Sequence, residues 1–184
     1  PMKSPITVRN ARLETDLHSI VRITNIYEAS PVTEDQMQSW FQYNPTGRIQ
    51  CRLVAANEKD EIIGYSGFVH EASAPEGQFT VWVLVDPVHH FQGIGSALWD
   101  ETLNGLIKMG ANRLTSDLSD QDPVSLRFAE RHGFAINHHM FRATLDLTTF
   151  DETPYLPVIV SLEAEGIQFC SLADFPDTHE TRRK

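Results

Sequence analysis

The sequence predicts an α+β fold: a central mixed, mostly antiparallel sheet flanked by helices, with a helix–strand extension at the C-terminal end. Three observations carry this expectation. Strand-like and helix-like periods follow one another in the order β-α-α-β-β-β-α-β-α-β. Three consecutive strands precede the first strand–helix–strand crossover, which a doubly wound parallel sheet does not do. Residues 85–98 then pass from an apolar strand through a loop into a helix opened by two glycines.

Each element has its own local reason. Residues 6–9 read as a short first strand. Residues 14–28 place Leu17, Ile20, Val21 and Tyr27 near helical spacing. A second helix covers 33–43, begun by Thr33-Glu34-Asp35, residue types suited to a helix N-terminus. Residues 51–56 and 61–69 are strand-like and are joined by Asn57-Glu58-Lys59-Asp60, which reads as a hairpin turn. Residues 79–85 are the most strand-like run in the chain, and Pro87 ends it. The helix that follows runs over 92–109 and stops at Gly110. A strand is expected at 113–117, then a helix at 123–132 with Pro123 in its first turn and Gly133 past its end. Residues 134–147 read as a long last strand.

Beyond that unit, expected to span 5–147, residues 148–184 read as a linker helix at 155–165, broken by Gly166, and a strand at 167–172. Residues 167–184 align with 6–23 through Ile6/Ile167, Asp16/Asp177, His18/His179 and Arg22/Arg183. That pattern suggests the start of a second copy of the domain, or a strand exchanged in a homodimer through the C-terminal segment.

Charge and composition exclude several function classes. Lys+Arg number 15 against 25 Asp+Glu, a formal net charge of −10. Non-specific nucleic-acid and anionic-membrane binding need a basic surface, so neither is expected, and the surplus acid suits a cationic acceptor. The longest apolar stretch, residues 81–85, is far short of the roughly 20 residues of a membrane helix. The N-terminal residues lack the apolar core of a signal peptide, which predicts a cytoplasmic protein. Cys51 and Cys170 form no CxxC pair and read as buried thiols in a reducing compartment.

The chemistry concentrates in Val85-Asp86-Pro87-Val88-His89-His90-Phe91-Gln92-Gly93-Ile94-Gly95-Ser96. Glycines let the backbone come close to a ligand, and unpaired N–H groups at a helix start aim the positive dipole end at an anion. A diphosphate suits such a cradle. A dinucleotide fingerprint would want glycine where Leu98 stands, and a nucleoside-triphosphate loop would end in Gly-Lys-Ser/Thr, with a lysine this loop lacks. The remaining alternative is a glycine pair that only shapes a turn.

Val85-x-Pro87 followed by His90-x-x-Gly93-x-Gly95, together with residues 122–134 ending in Gly133-Phe134, resembles the two cofactor motifs of the GCN5-related N-acetyltransferase (GNAT) superfamily. The resemblance covers about residues 5–147. It implies direct acyl transfer from acetyl-CoA to a small-molecule or peptide amine, with no metal. It further implies that the backbone of Val83, Leu84 and Val85 holds the pantetheine arm. One of those amides would polarise the thioester carbonyl. The amides of His90, Phe91, Gln92, Gly93, Ile94, Gly95 and Ser96 would hold the pyrophosphate, with Asp122 and Ser125 beside the cofactor.

This chain departs from the family pattern at several positions. His90 stands where Gln or Arg is usual, and the loop has no arginine or lysine. Ala129 occupies the position of the tyrosine that often serves as general acid, leaving Ser125 as the substitute. The 79–85 strand has no carboxylate, so a base would act through water from Glu71, Glu28 or His139. Alternatively, the thiolate leaves unassisted because its pKa is low. Glu28 and Trp40 fall where the family shapes its acceptor pocket. The missing acid and base leave a second reading, a non-catalytic CoA-binding or regulatory module. His138 and His139, as neighbours on the expected strand, would point to opposite faces and could not share a metal. Arg127 and Arg131 share one helix face, solvated or turned to the cofactor's adenosine phosphate.

Overall fold

The computed structural model describes residues 5–141 and 143–175. Five strands form one sheet in the order β1 (Thr7–Asn10), β2 (Ile49–Ala56), β3 (Ile62–His70), β4 (Gln78–Val85) and β5 (Arg113–Thr115). The first four pair antiparallel and β5 joins β4 in parallel, as the consecutive hairpins and single crossover predict. Helices α1 (Leu13–Tyr27) and α2 (Glu34–Gln42) lie between β1 and β2 in sequence, α3 (Ile94–Lys108) forms the β4–β5 crossover, and α4 (Pro123–Arg131) follows β5.

The two faces of the sheet are covered by different helices because side chains alternate along each strand. Val54, Ala56 and Tyr65 pack with Ile20, Ile23 and Met37 of α1 and α2. Leu53, Ala55 and Ile63 pack with Ile94 and Leu98 of α3, while Phe68, Phe79 and Val81 meet its Trp99 and Leu106. Gly64 makes the α3 contact close: a Cβ there would stand 2.8 Å from Leu98 Cδ1. The helix starts are locally encoded. Thr33 caps α2 in a capping box, its hydroxyl accepting from Gln36 N at 3.2 Å while Gln36 Oε1 accepts from Thr33 N at 2.9 Å. In the β2–β3 hairpin, Asn57 Oδ1 accepts from the amides of Lys59 and Glu61.

The chain divides into two compact units between Phe134 and Ala135. The second contains α5 (Leu156–Ala164), a helix within the 155–165 range read as helical. Two expected strands are not formed among the described residues. At 134–147, Phe134 is used to close α4. Gly133 takes φ +84° and donates to the Glu130 carbonyl, and the Phe134 amide donates to the Ala129 carbonyl. Its ring packs edge-on against Trp99, 5.7 Å between centroids. Ile136, Met140, Phe141 and Leu147 stay exposed, so the apolar pattern that suggested a strand has no partner to ladder against.

At 167–172 the same happens after α5: Gly166 at φ +90° and the Ile167 amide, donating to Leu162 O, close the helix instead of starting a strand. Positions 176–184 of the proposed repeat, including Asp177, His179 and Arg183, lie outside the described residues. Both cysteines are free, but Cys51 is half-buried and Cys170 exposed, so neither is the fully buried thiol expected from composition. No helix among the described residues is long and apolar enough to cross a membrane.

Candidate functional site

β4 and β5 pair over three residues only: Gln78 with Arg113, Phe79 with Leu114 and Thr80 with Thr115. Beyond Thr80 the two strands part, and a narrow cleft of about 100 Å³ opens between them. Val81, Trp82, Val83 and Val85 line one wall, Ser116 and Leu118 the other, with Ser125, Phe128 and Ala129 of α4 adding to the lining. The ladder fixes which backbone groups face the cleft. Asp86 N donates to Ile63 O at 3.0 Å, so residues 86, 84 and 82 are turned to β3. Alternation then turns the N–H and C=O of Val81, Val83 and Val85 to the opposite side. The Thr80–Thr115 pairing still engages Val81 N–H and Val85 O accepts from Tyr27, which leaves Val83 with both groups open to the cleft. This is an open sheet edge inside a pocket, suited to an extended ligand carrying amides.

The loop at the end of β4 is built by caps. Asp86 accepts from Val88 N at 3.2 Å, opening a 3₁₀ turn at Pro87–His89, and from Arg22 Nη1 at 2.5 Å. Burial opposes the Asp86 charge, but the Arg22 and Val88 hydrogen bonds outweigh it and hold the carboxyl below its usual range. Phe91 at φ +61° and Gly93 at φ +87° then swing the chain into α3. Among the described residues, the amides of Phe91, Gln92 and Gly93 donate to nothing, and Ile94, Gly95 and Ser96 supply the unsatisfied first-turn amides of α3. Six consecutive amides are thus without an acceptor. Gly95 lets α4 close on it, since a Cβ would be 3.3 Å from Phe128 Cε2.

On α4, Asp122 is the N-cap. It accepts from Val124 N at 3.0 Å, from Ser125 N at 3.2 Å and from the Ser125 hydroxyl at 2.5 Å. Burial again opposes its charge, and these bonds bring its carboxyl below the ordinary value. The Ser125 hydroxyl lines the cleft but gives its proton to Asp122. Ala129 lines it too and offers no proton.

Tyr27, the last residue of α1, reads in the sequence only as one of the positions at helical spacing. Its hydroxyl donates to Val85 O at 2.5 Å and lies 3.0 Å from His90 Nε2, which is also 3.0 Å from Val85 O. Burial, reinforced by the charges of Asp122 and Asp86, pushes the Tyr27 phenol up, so it stays a proton donor across neutral pH. The helical period marks Tyr27 as facing inward, but nothing in the chain says that α1 ends at the cleft.

The other expected residues spread out. Glu28 is exposed at the end of α1, and Trp40, 47% exposed, is on α2. Glu71 is taken by Arg48 Nε at 3.0 and 3.1 Å. His139 belongs to the second unit, and Arg127 and Arg131 are exposed on α4. Among the described residues, no group of three His, Cys, Asp or Glu is arranged to hold a metal ion.

Comparison with known proteins agrees with this arrangement. The chain is 28% identical over 132 residues to YwnH of Bacillus subtilis (strain 168), covering 65% of this chain and 78% of that one. It is 22% identical over 139 residues to the L-methionine sulfoximine/L-methionine sulfone acetyltransferase of Salmonella typhimurium (strain LT2), covering 71% and 80%. Its fold superposes with a TM-score of 0.62 on a phosphinothricin acetyltransferase of the GNAT superfamily from Sinorhizobium meliloti, solved with acetyl-CoA, at 23% identity over 74% of this chain and 77% of that one. Residues 17–134 match the sequence model of the acetyltransferase (GNAT) family, and the chain belongs to that family of acetyl-CoA-dependent N-acetyltransferases.

Proposed function

We propose that the cleft between β4 and β5 takes the pantetheine arm of acetyl-CoA as an added strand. The amide of Val83 then meets the thioester carbonyl and the six amides from Phe91 to Ser96 hold the pyrophosphate. The observation that carries this reading is the parting of β4 from β5 directly upstream of a loop with six unpaired amides. An edge strand binds amide-bearing ligands through its own N–H and C=O groups. A helix start with free amides binds phosphate without cationic side chains.

Bound acetyl-CoA supplies an acetyl group activated as a thioester. The chain's residues orient it: Val83 N–H withdraws charge from the carbonyl oxygen, and the walls at Val81, Phe128 and Ala129 exclude water. Transfer forms a nitrogen–carbon bond as the carbon–sulfur bond breaks. The proton lost by nitrogen balances the one gained by sulfur, so no outside acid or base is consumed. With Ala129 silent and Ser125 committed to Asp122, the thiolate departs on its own low pKa.

A second reading, a CoA-binding module without turnover, draws on that same pair of residues. Calorimetric titration with acetyl-CoA followed by thiol-release assays over a panel of amines tests both. The proposal expects one-to-one binding and thiol release with at least one amine. Binding without release on any amine favours the module, and absence of binding overturns both readings.

A further inference from the structure

On the α2-covered face of the sheet, Arg52 of β2, Gly67 of β3 and Trp82 of β4 stand in register. Gly67 leaves a gap in this row: a Cβ there would strike the Cys51 carbonyl and stand 2.7 Å from Trp82 Cζ2. The Trp82 ring takes the space so freed, and the Arg52 guanidinium lies against that ring. Its Cζ is 5.4 Å from the Trp82 ring centroid and 4.5 Å from that of Phe41 on α2. The cation is held by aromatic faces, not by acid.

Its hydrogen bonds are all to neutral oxygens. Nη1 donates to the Tyr65 hydroxyl. Nη2, on the solvent side, makes two long bonds of 3.3 Å, to Trp40 O and Gln50 Oε1. Nε is buried and has no partner. The Trp82 indole N–H is likewise buried without a partner. Among the described residues no carboxylate lies within salt-bridge distance of Arg52. The contrast with other arginines is direct: Arg48, just before the same strand, pairs with Glu71, Arg9 with Asp16, and Arg22 with Asp86. A half-buried cation without a counterion is costly to keep, and a chain with ten surplus acids has carboxylates to spare.

Trp82, against which Arg52 stacks, also lines the cleft, between Val81 and Val83 whose backbone edge faces the proposed thioester site. We infer that Arg52 is a specificity-determining residue that binds an anionic group of the acceptor, so that the preferred substrate is an amine carrying a carboxylate or a like oxyanion a few atoms from its nitrogen. The guanidinium fork matches a carboxylate in two points, and the long Nη2 bonds to neutral oxygens are readily exchanged for short charge-assisted ones. Exposed Trp40 lies beside Arg52, its carbonyl accepting from Nη2. The inference rests on the acyl-transfer reading and narrows it from any amine to one class.

The test compares amino acids with their own amides, matched pairs that differ only in the carboxylate, at saturating acetyl-CoA. Wild type, Arg52→Gln and Arg52→Lys are assayed by thiol release, with acetyl-CoA affinity measured on each variant as a check of folding. The expected result is that Arg52→Gln raises the ratio of KM for the acid to KM for the amide by about tenfold or more. Arg52→Lys, which keeps the charge but loses the fork, is expected to fall between. If Arg52→Gln fails the acetyl-CoA check, the Lys variant decides by the same ratio. An unchanged ratio in the variant that binds acetyl-CoA, or a wild type that acetylates amides only, overturns the inference while leaving acyl transfer standing. A protein that binds acetyl-CoA but releases thiol with no amine overturns the acyl-transfer reading and this inference with it.

Discussion

Gly93 shows how much of the proposed site rests on single backbone angles. At φ +87° it is in the left-handed region, and it sets the turn that carries the free amides of the loop into α3. Alanine there costs about 1 kcal/mol of conformational strain. Gly93→Ala is expected to weaken acetyl-CoA binding at least fivefold by calorimetry, because misplaced amides lose several bonds to phosphate together. Its melting temperature should fall by only a few degrees. Equal affinity in the variant would mean that the loop does not hold the phosphates. This part of the site was legible because glycines at a strand–helix junction have few other uses. Arg52 and Tyr27 were not legible. A basic residue in an alternating strand reads as an exposed position, and only the register with Gly67 and Trp82 reveals its aromatic surroundings. Tyr27 reads as one more inward position on a helix.

At the scale of elements, β1 is fastened to α1 by one acid. Asp16, buried in the first turn of α1, accepts from Arg9 Nη1 at 2.6 Å and Nη2 at 3.0 Å, and from the Arg12 amide at 2.7 Å. Burial works against its charge, yet these bonds leave its carboxyl below the ordinary value. A carboxyl lowered on folding stabilises the protein fully above its unfolded pKa near 4 and ceases to do so as pH falls through the lower folded value. Denaturant unfolding followed from pH 7 down to 3 should therefore show wild-type stability declining below about pH 4. Asp16→Asn should be less stable by about 2 kcal/mol at pH 7, with the gap closing in acid. A constant gap would assign the loss to packing instead. The elements themselves were readable from period and punctuation through α4, but the length of β5 was not. Five residues have strand character and only three pair, since the point where two strands part is set by what packs between them. The strands expected at 134–147 and 167–172 fail for a related reason: alternation marks a residue pattern that fits a sheet, not the presence of a neighbouring edge.

The whole molecule carries a formal charge of −10, and the loop from Asp86 to Ser96 contains no lysine or arginine. An acidic protein that binds a polyanion through neutral amides works against its own field, and salt screens that repulsion. Raising the salt from about 0.05 to 0.3 M is expected to leave acetyl-CoA affinity unchanged or to strengthen it, over a range in which the Debye length falls about 2.5-fold. A severalfold weakening would instead point to cationic side chains on the phosphates. The division after Phe134 leaves every residue lining the cleft in the first unit. Composition had indicated a cationic acceptor from the acid surplus alone; Arg52, unpaired among aromatic rings, adds the requirement for an anionic group on that same acceptor. The claim on which the rest depends is that acetyl-CoA lies along the open edge of β4 and across the start of α3. Backbone amide resonances followed by ¹⁵N NMR during titration with acetyl-CoA test it most directly. The account predicts the largest shifts at Val83, Val85 and residues 91–96. Saturable shifts confined to other surfaces, with these amides unmoved, would contradict it.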